Sequence, residues 1–176
     1  MSDPLRIIYR GRKIDLALRP IVLADGTISE REVILHPGAV TLIAMVDADH
    51  ICLVKNKRHA VDLTLLEVPA GTIDAGEDPD VTAVRELREE TGFVAGTITK
   101  LGEWWVSPGI FTERMHLYRC ENLQPGPTDH QLDESLESVI VPWREAVAMV
   151  EDGRIDDAKS MLAILIEERL RSAKPS

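Results

Sequence analysis

Between Gly71 and Phe93 the chain reads GTIDAGEDPDVTAVRELREETGF, and the end of this stretch gathers three acids, Glu86, Glu89 and Glu90. On a helix advancing about 100° per residue these three share one face, while Val81, Ala83, Val84 and Leu87 spread over the other. Like charges at i,i+4, here Glu86 and Glu90, cost a helix roughly 0.2–0.5 kcal/mol, and acids near its C-terminus oppose the helix dipole. A divalent cation reverses both penalties, and clustered carboxylates suit Mg²⁺ or Mn²⁺, especially beside phosphate oxygens. Read alone, the same helix is also an ordinary solvated face on which Arg85 and Glu89 pair at i,i+4.

The residues ahead of the helix change that balance. Gly71 is followed after five residues by Glu77, and after seven more by Arg85, Glu86 and aliphatic Leu87; Glu89, Glu90, Gly92 and apolar Phe93 complete the series. This segment resembles the box of the Nudix hydrolase family at every fixed position. The resemblance implies a mixed α+β class, the Nudix fold: a mixed β-sheet sandwiched between α-helices, with the box as loop, helix and loop. It implies Mg²⁺ (or Mn²⁺) held by Glu86 and Glu90, with Glu89 assisting in ligation and catalysis and the backbone carbonyl of Ala70 as a further ligand. Glu77 and Arg85 are expected to brace the loop against each other. The chemistry implied is addition of water across a diphosphate, whose charge repels the nucleophile until cations neutralise it.

Outside the box, residues 6 to 171 look like the ADP-ribose pyrophosphatase branch of that family. The stretch RHAVDLTLLEVPAG from Arg58, the Ser107-Pro108-Gly109 loop with Glu113 beyond it, and the segment Gly153 to Lys159 all fit. By resemblance Arg58 and Glu67 line the substrate site, Pro108 marks ADP-ribose preference, and Glu113 lies near the terminal sugar or the metals. A surface arginine and a strand-end solvent contact are the plainer readings of Arg58 and Glu67. Trp104 and Trp105 offer either a stacking face for a base or simple packing. The expected reaction is ADP-ribose to AMP and ribose 5-phosphate. The alternatives are another nucleotide sugar such as GDP-mannose, or a non-catalytic module that senses ADP-ribose. In this branch the catalytic base tends to come from an acidic loop beyond the box. Here that loop is Asp129 to Glu137, with Glu134 at the base position and Glu137 next in line.

These groups need a scaffold. Asp78-Pro79 reads as the helix start, since Asp caps free N–H groups and Pro at the first position loses nothing; Gly92 reads as its stop. Strand-like runs, Ile7 to Tyr9, Ile14 to Leu18 and Glu32 to Leu35, alternate with turn signals at Gly11, Asp25-Gly26 and Pro37-Gly38. Further strands are predicted over His50 to Lys55, Gly96 to Trp105, Arg114 to Cys120 and Ser138 to Val141, with Pro69 to Glu77 as loop. Two helices close the chain, Trp143 to Glu151 and Asp157 to Arg171. The domain division is an N-terminal antiparallel β extension, residues 1–38, ahead of a hydrolase domain, 39–176. The resemblance implies a homodimer in which that extension reaches a partner's substrate site; packing on its own domain is the other possibility.

The bulk composition is that of an ordinary globular protein: 176 residues, 44% hydrophobic and 28% charged. A formal net charge of −10 argues against general binding to nucleic acid or anionic membrane, which needs clustered Lys and Arg. The longest apolar run, Ala39 to Val46, is far shorter than the roughly 20 residues of a membrane span, and the N-terminus carries no signal pattern. The expected location is the cytoplasm. Cys52 and Cys120 stand alone in apolar segments and read as reduced core residues.

Overall fold

The computed structural model describes residues 5–126 and 137–173. The N-terminal part is a three-stranded antiparallel sheet of β1 (Arg6–Arg10), β2 (Asp15–Val22) and β3 (Ile28–Leu35). The second sheet has seven strands: β4 (Ala39–Met45), β5 (His50–Arg58), β6 (Leu63–Glu67), β7 (Ala70–Thr72), β8 (Phe93–Trp105), β9 (Arg114–Pro125) and β10 (Glu137–Pro142). Its main path runs β10-β5-β4-β9-β8, with β6 paired to β5 and β7 to β4. The β4–β9 pair is parallel and the others are antiparallel, so the sheet is mixed. The helices are α1 (Pro79–Thr91), α2 (Trp143–Glu151) and α3 (Ala158–Ser172).

Every residue of β4 is buried, as expected of a strand covered on both faces. Its side chains alternate between two cores. Val40, Leu42 and Ala44 pack with Ala83 and Leu87 of α1, whereas Ile43 and Met45 pack with Ala146 and Val150 of α2 and Ala163 and Ile164 of α3. The sheet is therefore a layer between α1 on one face and α2 with α3 on the other. Cys52 and Cys120 belong to the α1 side, and burial pushes their thiols up to about 11 and about 12, which leaves them protonated and inert.

The helix carrying the acids begins and ends where the sequence places it. The Asp78 carboxylate accepts the Asp80 N–H at 2.8 Å, Pro79 occupies the first turn, and Gly92 closes the helix with φ of 72°. Two local expectations change. Residues 70–72 are a strand, because their backbone pairs with Ala39 to Thr41 of β4. Val81 and Val84 are exposed, and the face of α1 turned inward is Thr82, Ala83, Glu86, Leu87, Glu90 and Thr91.

The small sheet is tied to the larger body through β3. The Ile34 N–H donates to the Ile110 carbonyl at 2.8 Å, the Thr112 N–H returns a bond to the Ile34 carbonyl at 3.0 Å, and the His36 N–H donates to the Thr112 hydroxyl at 2.9 Å.

Candidate active site

Glu86 and Glu90, adjacent on one face of α1, are nearly buried rather than solvated. Two devices make that burial tolerable, since a buried charge needs partners. The Ala70 N–H donates to Glu90 at 2.8 Å, and Arg85 donates to Glu86 at 2.6 Å and to Glu89 at 3.1 Å. The approach of Glu86 to the chain at Gly71 is so close that a Cβ there would fall inside the Glu86 carboxylate. Glycine at this point of β7 is what leaves the Glu86 carboxylate its place; any side chain here would turn it aside.

Arg85 also grips Glu77, with Nε to Oε1 at 3.1 Å and Nη2 to Oε2 at 2.8 Å, and donates to the Thr72 carbonyl at 3.2 Å. This is the expected brace between the loop and the helix. The Arg85 guanidinium holds the Glu77 carboxyl down at about 2. Because that value is lower than in an unfolded chain, the brace contributes fully above the ordinary carboxylate range and is lost as pH falls toward about 2.

Glu86, Glu89 and Glu90 line one cavity of about 750 Å³, together with Arg58, Glu67, Ala70, Trp104, Trp105 and Glu113. This volume lies within the range of small-molecule sites. Among the described residues, seven carboxylates and four cationic side chains line it, so its own charge is negative. An anionic ligand entering such a cavity requires added cations. The donor set fits a hard divalent metal, because clustered carboxylate oxygens are what Mg²⁺ and Mn²⁺ prefer. Among the described residues the acids are not gathered into a ligand cage. Glu86 and Glu89 are turned to Arg85, and Glu90 to the Ala70 N–H.

Glu67 is completely buried, which removes the strand-end solvent reading. It accepts two bonds from Arg58, at 2.8 and 2.5 Å, and one from Lys159 at the start of α3. Lys159 is also bonded to Asp157 at 2.7 Å. The Glu67 carboxylate raises Arg58 above the ordinary arginine range and holds both cations at the cavity wall. Arg58 is therefore a half-exposed cavity residue anchored from beneath. Burial raises Glu113 above the ordinary carboxylate range, while the Lys159 charge opposes the shift.

The Residues 35–164 of the chain match the NUDIX domain family. The chain belongs to the Nudix family. An ADP-ribose pyrophosphatase from Bacillus subtilis (strain 168) is 37% identical to it over 172 residues, covering 95% of this chain and 93% of that protein. A methanol dehydrogenase activator from Bacillus methanolicus is 35% identical over 159 residues, covering 89% and 86%. A solved structure described as an ADP compounds hydrolase superposes with a TM-score of 0.85 at 24% identity, covering 98% of this chain and 94% of that one, a likeness of fold. The mixed α+β class and the Nudix fold read from the box are thereby established.

Other residues named from the Nudix resemblance are placed less centrally. Pro108 is exposed in a turn whose backbone bonds run from Ile110 and Phe111 to the Ser107 carbonyl, and the cavity wall nearby is Trp105 and Val106 instead. Glu137 opens β10, pairs with Lys55 at 2.8 Å and is not among the cavity-lining residues. Glu134 lies outside the described residues. Trp104 is packed against the α2–α3 core, and Trp105 carries Arg114 over its ring at 4.6 Å. Asp157 and Lys159, read in the sequence only as part of the Gly153 to Lys159 segment with no role of their own, line the cavity, and so does Lys13, which the sequence reading did not name. The Asp-Ala-Lys run at 157–159 was a usable signal for the first two; Lys13 carries none.

Proposed function

We propose that this Nudix protein hydrolyses the diphosphate bond of a nucleoside diphosphate sugar, with ADP-ribose giving AMP and ribose 5-phosphate. The observation that carries the reading is the convergence of Glu86, Glu89 and Glu90 on one negatively charged cavity of nucleotide-sugar size, walled elsewhere by Arg58 and Lys159. In this reading Glu86 and Glu90 hold the metal, with Glu89 and the Ala70 carbonyl beside them. Bound Mg²⁺ or Mn²⁺ supplies neutralisation of the diphosphate and activation of water. Arg85 sets the positions of Glu86 and Glu89, and Glu67 fixes Arg58 and Lys159 where they meet the substrate. Glu113 stands near the sugar end, and Pro108 acts only through the shape of its turn.

Incubation with a panel that includes ADP-ribose and GDP-mannose, followed by product analysis, tests the reading. AMP and ribose 5-phosphate should form with Mg²⁺ or Mn²⁺ and vanish in EDTA. Turnover of GDP-mannose in preference moves the substrate, and binding of ADP-ribose without turnover means a sensor instead.

The base assigned here is Glu134, with Glu137 second. A general base typically contributes about 10²–10⁴ in rate, so Glu134→Gln should lower kcat about a hundredfold while metal affinity and KM stay near the unaltered values. Normal kcat in that variant removes the assignment. A cytoplasmic homodimer joined through residues 1–38 belongs to the same proposal. Tyr9, Val22 and Ile28 of the N-terminal sheet are exposed apolar side chains that such contact would cover. Light scattering that finds a monomer removes it. No helix among the described residues is long and apolar enough to cross a membrane.

A further inference from the structure

Four cationic side chains line the cavity, and three are already committed: Arg58 and Lys159 to Glu67, and Arg85 to Glu77. The fourth is Lys13, which among the described residues has no ion pair. It sits in the turn between β1 and β2, which is closed by a bond from the Gly11 N–H to the Ile14 carbonyl at 2.9 Å. The turn meets the hydrolase body beside His36, whose Nδ1 accepts the Gly38 N–H at 3.1 Å. The Lys13 charge reaches that ring: after burial, it is the second cause holding His36 below the ordinary histidine range. Lys13 also lines a neighbouring cavity of about 590 Å³ with Arg12, His36 and Asp74, so its side chain stands on the rim between the two spaces.

An ammonium with no counter-charge among the described residues, on the rim of a cavity whose described lining is negative, is the group best able to accept an incoming anion. The paired cations must first give up part of an existing contact; Lys13 has no ion pair among the described residues to give up. The sheet that carries it is fastened to its own hydrolase body through Ile34, Ile110 and Thr112. We propose that Lys13 binds an anionic oxygen of the substrate diphosphate in its own chain, making the N-terminal sheet a substrate-binding element in cis. This rests on the nucleotide-sugar reading above. It differs from the arrangement implied by the family resemblance, in which the extension completes a partner's site.

The test is steady-state kinetics with ADP-ribose on the full chain. One lost hydrogen bond to a charged group at an exposed site should raise KM in Lys13→Gln about tenfold and leave kcat within about twofold. Lys13→Arg should restore most of the affinity, since the charge is kept. Arg12→Gln is the control, because Arg12 shares the turn and does not line the substrate cavity; its KM should be unchanged. Unchanged KM in Lys13→Gln, or an equal rise in Arg12→Gln, overturns the proposal. Mixing Lys13→Gln chains with Glu90→Gln chains should restore no low-KM turnover; its recovery would show that Lys13 acts across subunits and overturn the assignment in cis. Absence of ADP-ribose turnover by the unaltered chain would overturn the substrate reading, and this proposal with it, whereas turnover with an indifferent Lys13 overturns this proposal alone.

Discussion

Glu90→Gln is expected to lower kcat/KM for ADP-ribose by about three orders of magnitude, because a bound cation's stabilisation of transition-state charge is worth several kcal/mol. The fold should survive. The Gln side-chain oxygen can still accept the Ala70 N–H, and removing charge from a nearly buried carboxylate relieves desolvation. Thermal stability should therefore hold or rise while metal affinity falls, a combination that simple misfolding cannot produce. Glu86→Gln should lose activity to a similar degree. It also weakens the bond from Arg85, which keeps Glu77 and Glu89 as partners, so the brace should remain. Retention of kcat/KM within about tenfold in both variants at limiting Mg²⁺ would refute the ligand assignment.

Gly71→Ala should be as damaging to activity as Glu86→Gln, with a fold cost added. The new methyl group would occupy the place of the Glu86 carboxylate. The backbone cannot retreat easily, because Gly71 is paired with Val40 in the sheet and Ala70 and Thr72 are paired on either side of it. Glu86 must swing away instead, leaving Arg85 and the metal position together. Because the atoms displaced are the far end of a flexible side chain, the fold cost should fall at the low end of the about 1–3 kcal/mol typical of overpacking, which a thermal or denaturant melt will read. The activity loss should be about a hundredfold or more, on the scale of losing one ligand. Since both changes remove the same carboxylate from the same place, Gly71→Ala combined with Glu86→Gln should be little worse than either alone. Full multiplication of the two losses, or normal activity in Gly71→Ala, would mean that Glu86 does not work from the position it holds beside β7.

The spacing of the box was legible because its positions are set by local chemistry. Asp78 and Pro79 start a helix and Gly92 stops it whatever surrounds them, and the Glu77–Arg85 brace spans only one loop and two helical turns. The layered fold was legible for a related reason: strands first, one helix in mid-chain and two helices at the end leave few ways to cover both faces of a sheet. Hydrophobic pattern failed where charge is buried. It placed Glu86 and Glu90 on a carboxylate face opposite the packed one and Val81 and Val84 on the packed face; the structure buries the first pair and exposes the second, because Arg85 and the Ala70 N–H meet the carboxylates inside. Pairing of distant residues was equally hidden. Glu67 meets Arg58 across a hairpin, yet it meets Lys159 only after the chain has crossed the sheet and begun its last helix. Nothing periodic announces that contact, nor the arrival of Lys13 from the N-terminal sheet.

The most direct measurement is phosphorus NMR of ADP-ribose incubated with the protein, first in Mg²⁺ and then in EDTA. The account predicts that in Mg²⁺ the diphosphate resonances give way to those of two phosphomonoesters, AMP and ribose 5-phosphate, and that in EDTA they persist. Persistence of the diphosphate resonances in Mg²⁺, or their loss at an equal rate in EDTA, would contradict it.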